Sequence, residues 1–294
     1  MFFTSASSDS VVTALQASEQ GESFNFGELL EHVEDSRIVE LPGTHIELPT
    51  FKPLQLGSLT IDLSPTKHVF FLLVAAIILV IVAIMTARKY KQSLIPHGFA
   101  NMMEIIVLFI RDDIVIPSMG QYGIKYLPFL LTTFFFILLM NLAGLIPYGA
   151  TPTGNIAVTA GLAIIAFIMI QVSSIRKDGI VHYLAHLTGG VHWALWPIMV
   201  PVEILSMFTK PFALCMRLFA NMTGGHIVIL SLIGLIFLFK SIIIVPVSVT
   251  FALAIYMLEL FVAFLQAYVF TMLTALFMGL GMEPEGEGGE HRNE

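Results

Sequence analysis

Residues 196–282 are almost continuously apolar, yet they contain a few side chains that are capable of holding or moving a proton. These are Glu203, Arg217, Asn221, His226, Glu259 and Gln266, and Asn141 interrupts an earlier apolar run. Arg217 is the costliest of them. A guanidinium stays protonated at any relevant pH, and at the centre of a membrane helix it costs roughly 2.5–3.5 kcal/mol. Either an interaction offsets that cost or a function requires the charge.

Helical spacing divides these residues between faces. Glu203 and Arg217 are fourteen residues apart, which places them within about 40° of one face at 100° per residue. Glu259 and Gln266, seven residues apart in the next run, lie within about 20° of one face. His226 follows Arg217 by nine residues and therefore lies about 180° from it on a regular helix. The pattern predicts two polar paths with a fixed cation between them.

Such an arrangement suits proton movement in two legs better than the binding of a bulk solute. A proton would enter along one path, pass to a mobile carboxylate and leave along the other path, while the cation blocks direct leakage. An opposite charge lowers the pKa of a carboxyl, so Arg217 would favour release of the proton. Both membrane carboxylates of this chain, Glu203 and Glu259, belong to the paths. The carrier is therefore expected on a partner protein.

Simpler explanations stay open at this point. Arg217 could extend its charge to the membrane surface, Glu259 could pair with Lys240 or His226 for structural reasons, and the amides could form ordinary hydrogen bonds between helices. An intramembrane hydrolase that uses His226 and Glu259 is a further alternative, although the sequence has no HExxH motif. An autonomous channel or transporter is another, although no inverted repeat is evident.

Composition establishes the class of protein that positions these residues. The 294 residues are 56% hydrophobic and only 12% charged, with a mean hydropathy of +0.87, whereas soluble domains carry about 25% charged residues. The apolar runs are continuous and do not alternate, which predicts an all-α membrane protein rather than a barrel. Lys and Arg are few and scattered, which argues against nucleic acid as a partner. The single cysteine, Cys215, excludes an internal disulfide, and no cofactor or metal site is expected.

The charges divide the chain into three parts. Residues 1–66 hold ten acidic and two basic residues and are expected outside the membrane, residues 67–282 form the membrane domain, and residues 283–294 form an acidic tail. About five spans are expected, at about 68–87, 126–148, 155–175, 196–239 and 242–282, with a charged interfacial helix at about 97–117. Basic residues after the first and third spans predict a cytoplasmic C-terminus and an outer N-terminus. The last two runs are about twice the length that crosses a membrane, which predicts a hairpin of long, strongly tilted helices.

Three motifs resemble subunit a of the F-type ATP synthase. The stretch PVEILSMFTKPFALCMRLFANMTGGH is similar to the penultimate helix of that family, with Arg217 at the invariant arginine of RLFxNM, Asn221 at its asparagine and Glu203 at an upstream glutamate. The stretch LELFVAFLQAYVFTMLT is similar to the last helix, with Gln266 at its glutamine. The stretch MNLAGLIPYGATPTGN resembles a conserved hairpin, with Asn141 at its polar position.

Two departures from the bacterial pattern bear on the proton path. Many bacterial members carry an acidic residue where this chain has His226 and a histidine where it has Glu259. The exchange supports a couple formed across the two helices. Some members also carry acidic residues shortly after the asparagine, where this chain has Gly144 and Gly149. The inlet path is therefore expected to be lined differently here.

The resemblance implies a non-catalytic stator subunit of the ATP synthase membrane sector, in the inner membrane of a bacterium. Its implied partners are the ring of c subunits, the b-subunit peripheral stalk, the rest of the synthase and membrane lipid. Protons would enter from outside near His226 and Glu259, protonate a c-subunit carboxylate, and leave near Glu203 once Arg217 draws that carboxylate into its ionised form. The three amides would line the paths. A sodium-coupled version of the subunit stays open, because the c subunit largely sets the ion.

Overall fold

A computed structural model describes residues 38–41, 44–47, 54–56, 59–61, 65–92, 98–146, 149, 151–186, 195–239 and 244–281. The first four of these ranges are β-strands, which the sequence analysis did not predict. β1 (Ile38–Leu41) pairs antiparallel with β2 (Thr44–Glu47), and β3 (Leu54–Leu56) pairs antiparallel with β4 (Leu59–Ile61). Only two residues separate the strands of each pair, a connection that antiparallel strands allow.

The rest of the described chain is helical. Its α-helices are α1 (Lys67–Gln92), α2 (Phe99–Phe109), α3 (Ile116–Met119), α4 (Leu127–Leu145), α5 (Ile156–His186), α6 (Trp196–Phe239) and α7 (Ile244–Leu280). Five helical stretches of the described residues are long and apolar enough to cross a membrane: Lys67–Tyr90, Phe99–Leu145, Ile156–Lys177, Trp196–Ile236 and Ile244–Leu280. This confirms the predicted class of all-α membrane protein with five spans. The division of the chain at residues 66 and 282 stays a prediction, and the tail 283–294 lies outside the described residues.

The expected interfacial helix and second span are not separated by an extended loop. A π-helical turn, Ile110–Val115, joins α2 to α3, and a 3-10 helix, Gly120–Tyr126, joins α3 to α4. The helical path thus continues from Phe99 to Leu145. Its change of direction falls at Gly120, whose φ of 61° is one that residues with a Cβ rarely adopt. The location of α2 at the membrane surface stays a prediction.

The third span ends close to where the charge pattern predicts. The stretch that is long and apolar enough to cross a membrane is Ile156–Lys177, against an expected end near residue 175, and α5 continues beyond it to His186. The helix is interrupted at Gly179, where φ is 79° and ψ is 162°. A break of this kind lets the chain change course without ending the helix, which the pattern of apolar residues does not reveal.

The last two helices have the predicted lengths. Helix α6 contains 44 residues and α7 contains 37, so at 1.5 Å per residue they are about 66 and 55 Å long. A hydrocarbon core is only about 30 Å thick, so helices of this length cross it obliquely or extend beyond it. Helix α7 packs against α4 and α6, α5 packs against α6, and α1 packs against α4.

A stripe of small residues on α7 lets its backbone approach its neighbours closely. Ala263, Ala267, Thr271, Ala275 and Gly279 follow one another at intervals of four, and all five are buried. A Cβ on Gly279 would overlap the carbonyl oxygen of Ser118. In lipid, where burial of apolar surface gains little, such close packing is a main source of helix association. The larger buried side chains around the stripe include Ile110, Ile114, Leu130, Ile137, Met140, Leu218, Phe270 and Met278.

Candidate functional site

The functional residues predicted from the sequence meet along the contact between α6 and α7. Asn221 of α6 contacts Gln266 of α7, and His226, five residues later on α6, contacts Glu259, seven residues earlier on α7. The two helices are therefore antiparallel over this stretch. Two polar pairs, Asn221 with Gln266 and His226 with Glu259, thus connect the two helices.

His226 lies between a carboxylate and a hydroxyl. Its Nδ1 is 2.7 Å from Oε1 of Glu259, and its Nε2 is 2.9 Å from Oγ1 of Thr151. The side chain of Glu259 is 3% exposed and that of His226 is 26% exposed. The second carboxylate oxygen of Glu259, Oε2, is buried and has no hydrogen-bond partner among the described residues. A buried acceptor of this kind calls for an explanation, because most are satisfied.

The backbone of α6 makes room for this carboxylate. A Cβ on Gly225 would lie 2.8 Å from Oε1 and 2.9 Å from Cδ of Glu259. Glu259 is one turn before Ala263, so it extends the buried stripe of small residues on α7. The carboxylate is therefore held in the helix contact by close packing as well as by its hydrogen bond to His226.

The second pair lies nearer to Arg217. Nδ2 of Asn221 donates to Oε1 of Gln266 at 2.8 Å. Gln266 is 1% exposed, whereas Asn221 lies on the exposed side of α6. The bond therefore links the interior of the helix contact to the exposed surface on which Arg217 lies.

Asn141 belongs to a third cluster, beside the first pair. It is fully buried in α4, donates from Nδ2 to the carbonyl of Ala263 at 3.3 Å, and accepts at Oδ1 from the hydroxyl of Thr153 at 2.7 Å. Ala263 is one turn after Glu259, so this cluster lies next to the carboxylate along α7. The structure thus brings the predicted Asn141 to the same region as His226 and Glu259.

The turn between α4 and α5 supplies two residues that the sequence analysis missed. The sequence analysis assigned no role to its threonines, but the 3-10 helix Pro152–Gly154 folds back so that buried Thr151 and Thr153 reach His226 and Asn141. Thr223 of α6 also donates to the carbonyl of Gly154, at 3.4 Å. Threonine beside proline is typical of any turn, so no periodic signal marked these residues.

Arg217 and Glu203 are not brought to any partner. Arg217 is exposed, Glu203 is partly exposed, and neither forms a hydrogen bond or ion pair with another residue in the described part of the chain. Lys210, the other cation of the described α6, differs because its Nζ lies 5.3 Å from the ring centroid of Phe277. Lys240, considered as a partner of Glu259, lies outside the described residues.

Small residues surround Arg217 on the exposed surface. Ala213, Ala220 and Gly224 are exposed and lie within about 60° of Arg217 around the helix axis. Nothing lies within 4 Å of the position that a Cβ on Gly224 would take. The guanidinium therefore stands on a smooth surface that another helix is able to approach closely.

Comparisons with known proteins agree on one family. Residues 69–279 match the model of the family described as ATP synthase A chain. ATP synthase subunit a of Chloroherpeton thalassium is 56% identical over 232 residues, which cover 78% of this chain and 70% of the relative. ATP synthase subunit a 2 of Prosthecochloris aestuarii is 51% identical, over 89% of this chain and 81% of the relative. ATP synthase subunit a of Myxococcus xanthus is 53% identical, over 79% and 78%. The chain therefore belongs to the ATP synthase A chain family.

Proposed function

We propose that this chain is the proton-translocating stator subunit of the membrane sector of an F-type ATP synthase. It performs no bond chemistry itself and requires no cofactor. It supplies two offset water-accessible paths to the carboxylates of a rotating ring of c subunits, and Arg217 separates them. The rest of the synthase, including the b-subunit stalk, holds it still while the ring turns.

The observation that carries the proposal is the isolation of Arg217. Its charge is fixed, it lies near the middle of a 44-residue apolar helix, and no described residue of the chain neutralises it. Exposure to lipid would cost roughly 2.5–3.5 kcal/mol. A carboxylate on a neighbouring helix of another subunit removes that cost, and the small residues around Arg217 allow such a helix to come close.

The inlet path ends at the couple of His226 and Glu259. Imidazole suits this step because its unperturbed pKa of about 6.5 lets it gain and lose a proton near neutral pH. Glu259 receives the proton through the 2.7 Å contact between Nδ1 and Oε1. The carboxylate of Glu259 is buried within the chain, so the proton passes from it to the carboxylate of the ring through a bridging water. Asn141, Asn221 and Gln266 line the route with polar groups.

The outlet path follows the other part of α6. Glu203 is about four turns before Arg217 on nearly the same face of the helix, and it is partly exposed. A ring carboxylate that reaches Arg217 is stabilised in its ionised form by the guanidinium, and its proton leaves toward Glu203. In the proposed orientation Glu203 opens to the cytoplasm of a bacterial cell and the N-terminal segment lies outside the inner membrane. Each charge that crosses 100 mV supplies about 2.3 kcal/mol.

Substitution of Arg217 tests the proposal. Arg217→Ala should abolish ATP-driven proton pumping in inverted membrane vesicles, and Arg217→Lys should restore little of it, because lysine lacks the planar fork. Lys210→Gln is the matched control on the same helix and should retain most of the pumping, since Lys210 has its own contact within the chain. Normal pumping by Arg217→Ala in an assembled complex would overturn the proposal. Repeating the assay with and without sodium ions distinguishes proton coupling from sodium coupling.

A further inference from the structure

We propose that Thr151 is a positioning residue of the inlet path, whose hydroxyl holds the ring of His226 in line with Glu259 in both protonation states of the histidine. The inference rests on the proposed function, because it concerns the delivery of protons to Glu259. It assigns a role to a turn whose sequence carries no Asp, Glu, His, Lys or Arg.

The first step is that both ring nitrogens of His226 are engaged. Nδ1 is 2.7 Å from Glu259 Oε1 and Nε2 is 2.9 Å from Thr151 Oγ1, on opposite sides of the ring. An ionised carboxylate only accepts hydrogen bonds, so Nδ1 carries the hydrogen toward Glu259. In neutral imidazole Nε2 is then the acceptor, and it receives the hydroxyl hydrogen of Thr151.

The second step is that a hydroxyl is able to reverse its role. When His226 takes up a proton, both ring nitrogens become donors, and Thr151 Oγ1 must accept from Nε2–H. A hydroxyl carries one donor and two acceptor lone pairs, so it satisfies Nε2 in either state by rotating about its C–O bond. An apolar side chain of the same shape satisfies neither state. When the imidazolium gives its Nδ1 proton to Glu259, the neutral ring keeps its hydrogen on Nε2 and still donates it to Thr151 Oγ1, so this transfer requires no reorientation of the ring.

The third step is that the fold reserves space for this hydroxyl. Thr151 is buried, and a Cβ on Gly144 of α4 would overlap its Oγ1 and lie 2.6 Å from its Cβ. The volume that a side chain at position 144 would fill is thus occupied by Thr151. Position 144 is therefore a glycine for a physical reason. If α4 itself lined the inlet path, a polar side chain would be expected at this position instead.

The fourth step is that the turn is fixed on both sides of Thr151. Gly154 donates to the carbonyl of Thr151 at 2.9 Å, Thr153 donates to Asn141 at 2.7 Å, and Tyr256 donates to the carbonyl of Leu145 at 2.8 Å.

Glu259 is the only ionisable group within hydrogen-bond distance of His226 among the described residues. Tyr256, the nearest other ionisable group on α7, is engaged with α4.

Two substitutions at position 151 separate the hydroxyl from the methyl group of the side chain. Thr151→Val keeps the shape and removes the hydroxyl, and Thr151→Ser keeps the hydroxyl and removes the methyl group. We expect passive proton conduction through the membrane sector in liposomes to fall by about tenfold or more in Thr151→Val, as the loss of a hydrogen bond to a charged group predicts. Thr151→Ser should stay within about twofold of the parent, since that hydrogen bond is kept.

The outcomes are decisive in each direction. Parental conduction by Thr151→Val, or equal loss in both variants, would overturn the proposal, since the second result assigns the effect to packing. If Thr151→Val does not assemble, Thr151→Ala serves instead, because it differs from Thr151→Ser only by the hydroxyl, and parental conduction by Thr151→Ala would refute the idea. The Arg217→Ala complex is assayed in parallel. If Arg217→Ala still pumps, the proposed function fails. If Arg217→Ala is inactive and Thr151→Val is normal, only the role of Thr151 fails.

Discussion

Replacement of Gly225 by alanine should lower proton conduction because the new side chain displaces the carboxylate of Glu259. Alanine in place of glycine in a helix interior stabilises the helix by about 1 kcal/mol. The new Cβ, however, would lie 2.8 Å from Oε1 of Glu259 and 3.3 Å from its Cγ. Ordinary contact between such atoms begins at about 3.4 Å, so the carboxylate must retreat by about half an ångström.

That displacement falls on the bond that the proton uses. The contact between His226 Nδ1 and Glu259 Oε1 is 2.7 Å long, and a retreat of this size takes it to the limit of hydrogen bonding. A hydrogen bond to a charged group contributes about 1.5–3 kcal/mol. If that contribution is lost from the transfer step, the rate falls by about one to two powers of ten.

The assay is proton uptake by liposomes that contain the purified membrane sector, driven by a potassium diffusion potential. Gly161→Ala in α5 is the matched control, because nothing lies within 4 Å of its added Cβ. The control should conduct like the parent and melt at or above the parental temperature, whereas Gly225→Ala should melt near or below it, because the lost hydrogen bond outweighs the gain in helix propensity. A Gly225→Ala complex that conducts at the parental rate would show that the contact of His226 with Glu259 does not limit proton flow, and the inlet path would have to be redrawn.

Alanine substitutions at two further glycines test two different surfaces, the exposed surface around Arg217 and the buried surface of α7. Gly224→Ala adds a Cβ that meets nothing within the chain, so the subunit should stay stable. ATP-driven rotation and pumping should nevertheless slow, because the surface around Arg217 becomes less smooth. Unchanged pumping would place the ring elsewhere. Gly279→Ala sets a Cβ against the carbonyl of Ser118, so we expect overpacking to lower the free energy of unfolding by about 1–3 kcal/mol. The measurements are the melting temperature and the yield of complex, both of which should fall. Parental values for both would contradict the close packing of α7.

Periodicity within a helix was enough to place several of these residues. The nine-residue interval from Arg217 to His226 predicted opposite sides of α6, and the structure has Arg217 exposed and His226 turned toward Glu259. The lengths of α6 and α7 followed from their apolar runs for the same reason. Each of these inferences depends only on the geometry of one regular element.

What the sequence did not reveal depends on contacts between distant segments. Thr151 reaches a histidine 75 residues later, and no local pattern indicates which helix a turn folds against. The strands of residues 38–61 were missed because each has only three or four residues, too few for an alternating pattern to be distinguished from chance. The break at Gly179 was missed because charges, rather than backbone conformation, were used to end the span.

The separation of the two proposed proton paths is a consequence of helical geometry rather than of a dedicated barrier. His226 and Arg217 are nine residues apart, which on an α-helix is about 13 Å along the axis and half a turn around it. A proton on Glu259 is thus on the inner side of α6. The guanidinium of Arg217 lies on the exposed side of α6 and closer to its N-terminus than His226 does. The backbone of α6, with its hydrogen bonds already satisfied, stands between them and offers no acceptor. Transfer between the paths therefore requires a group that is itself outside this chain and moves along its exposed surface, which is the task that the proposed ring carboxylate performs.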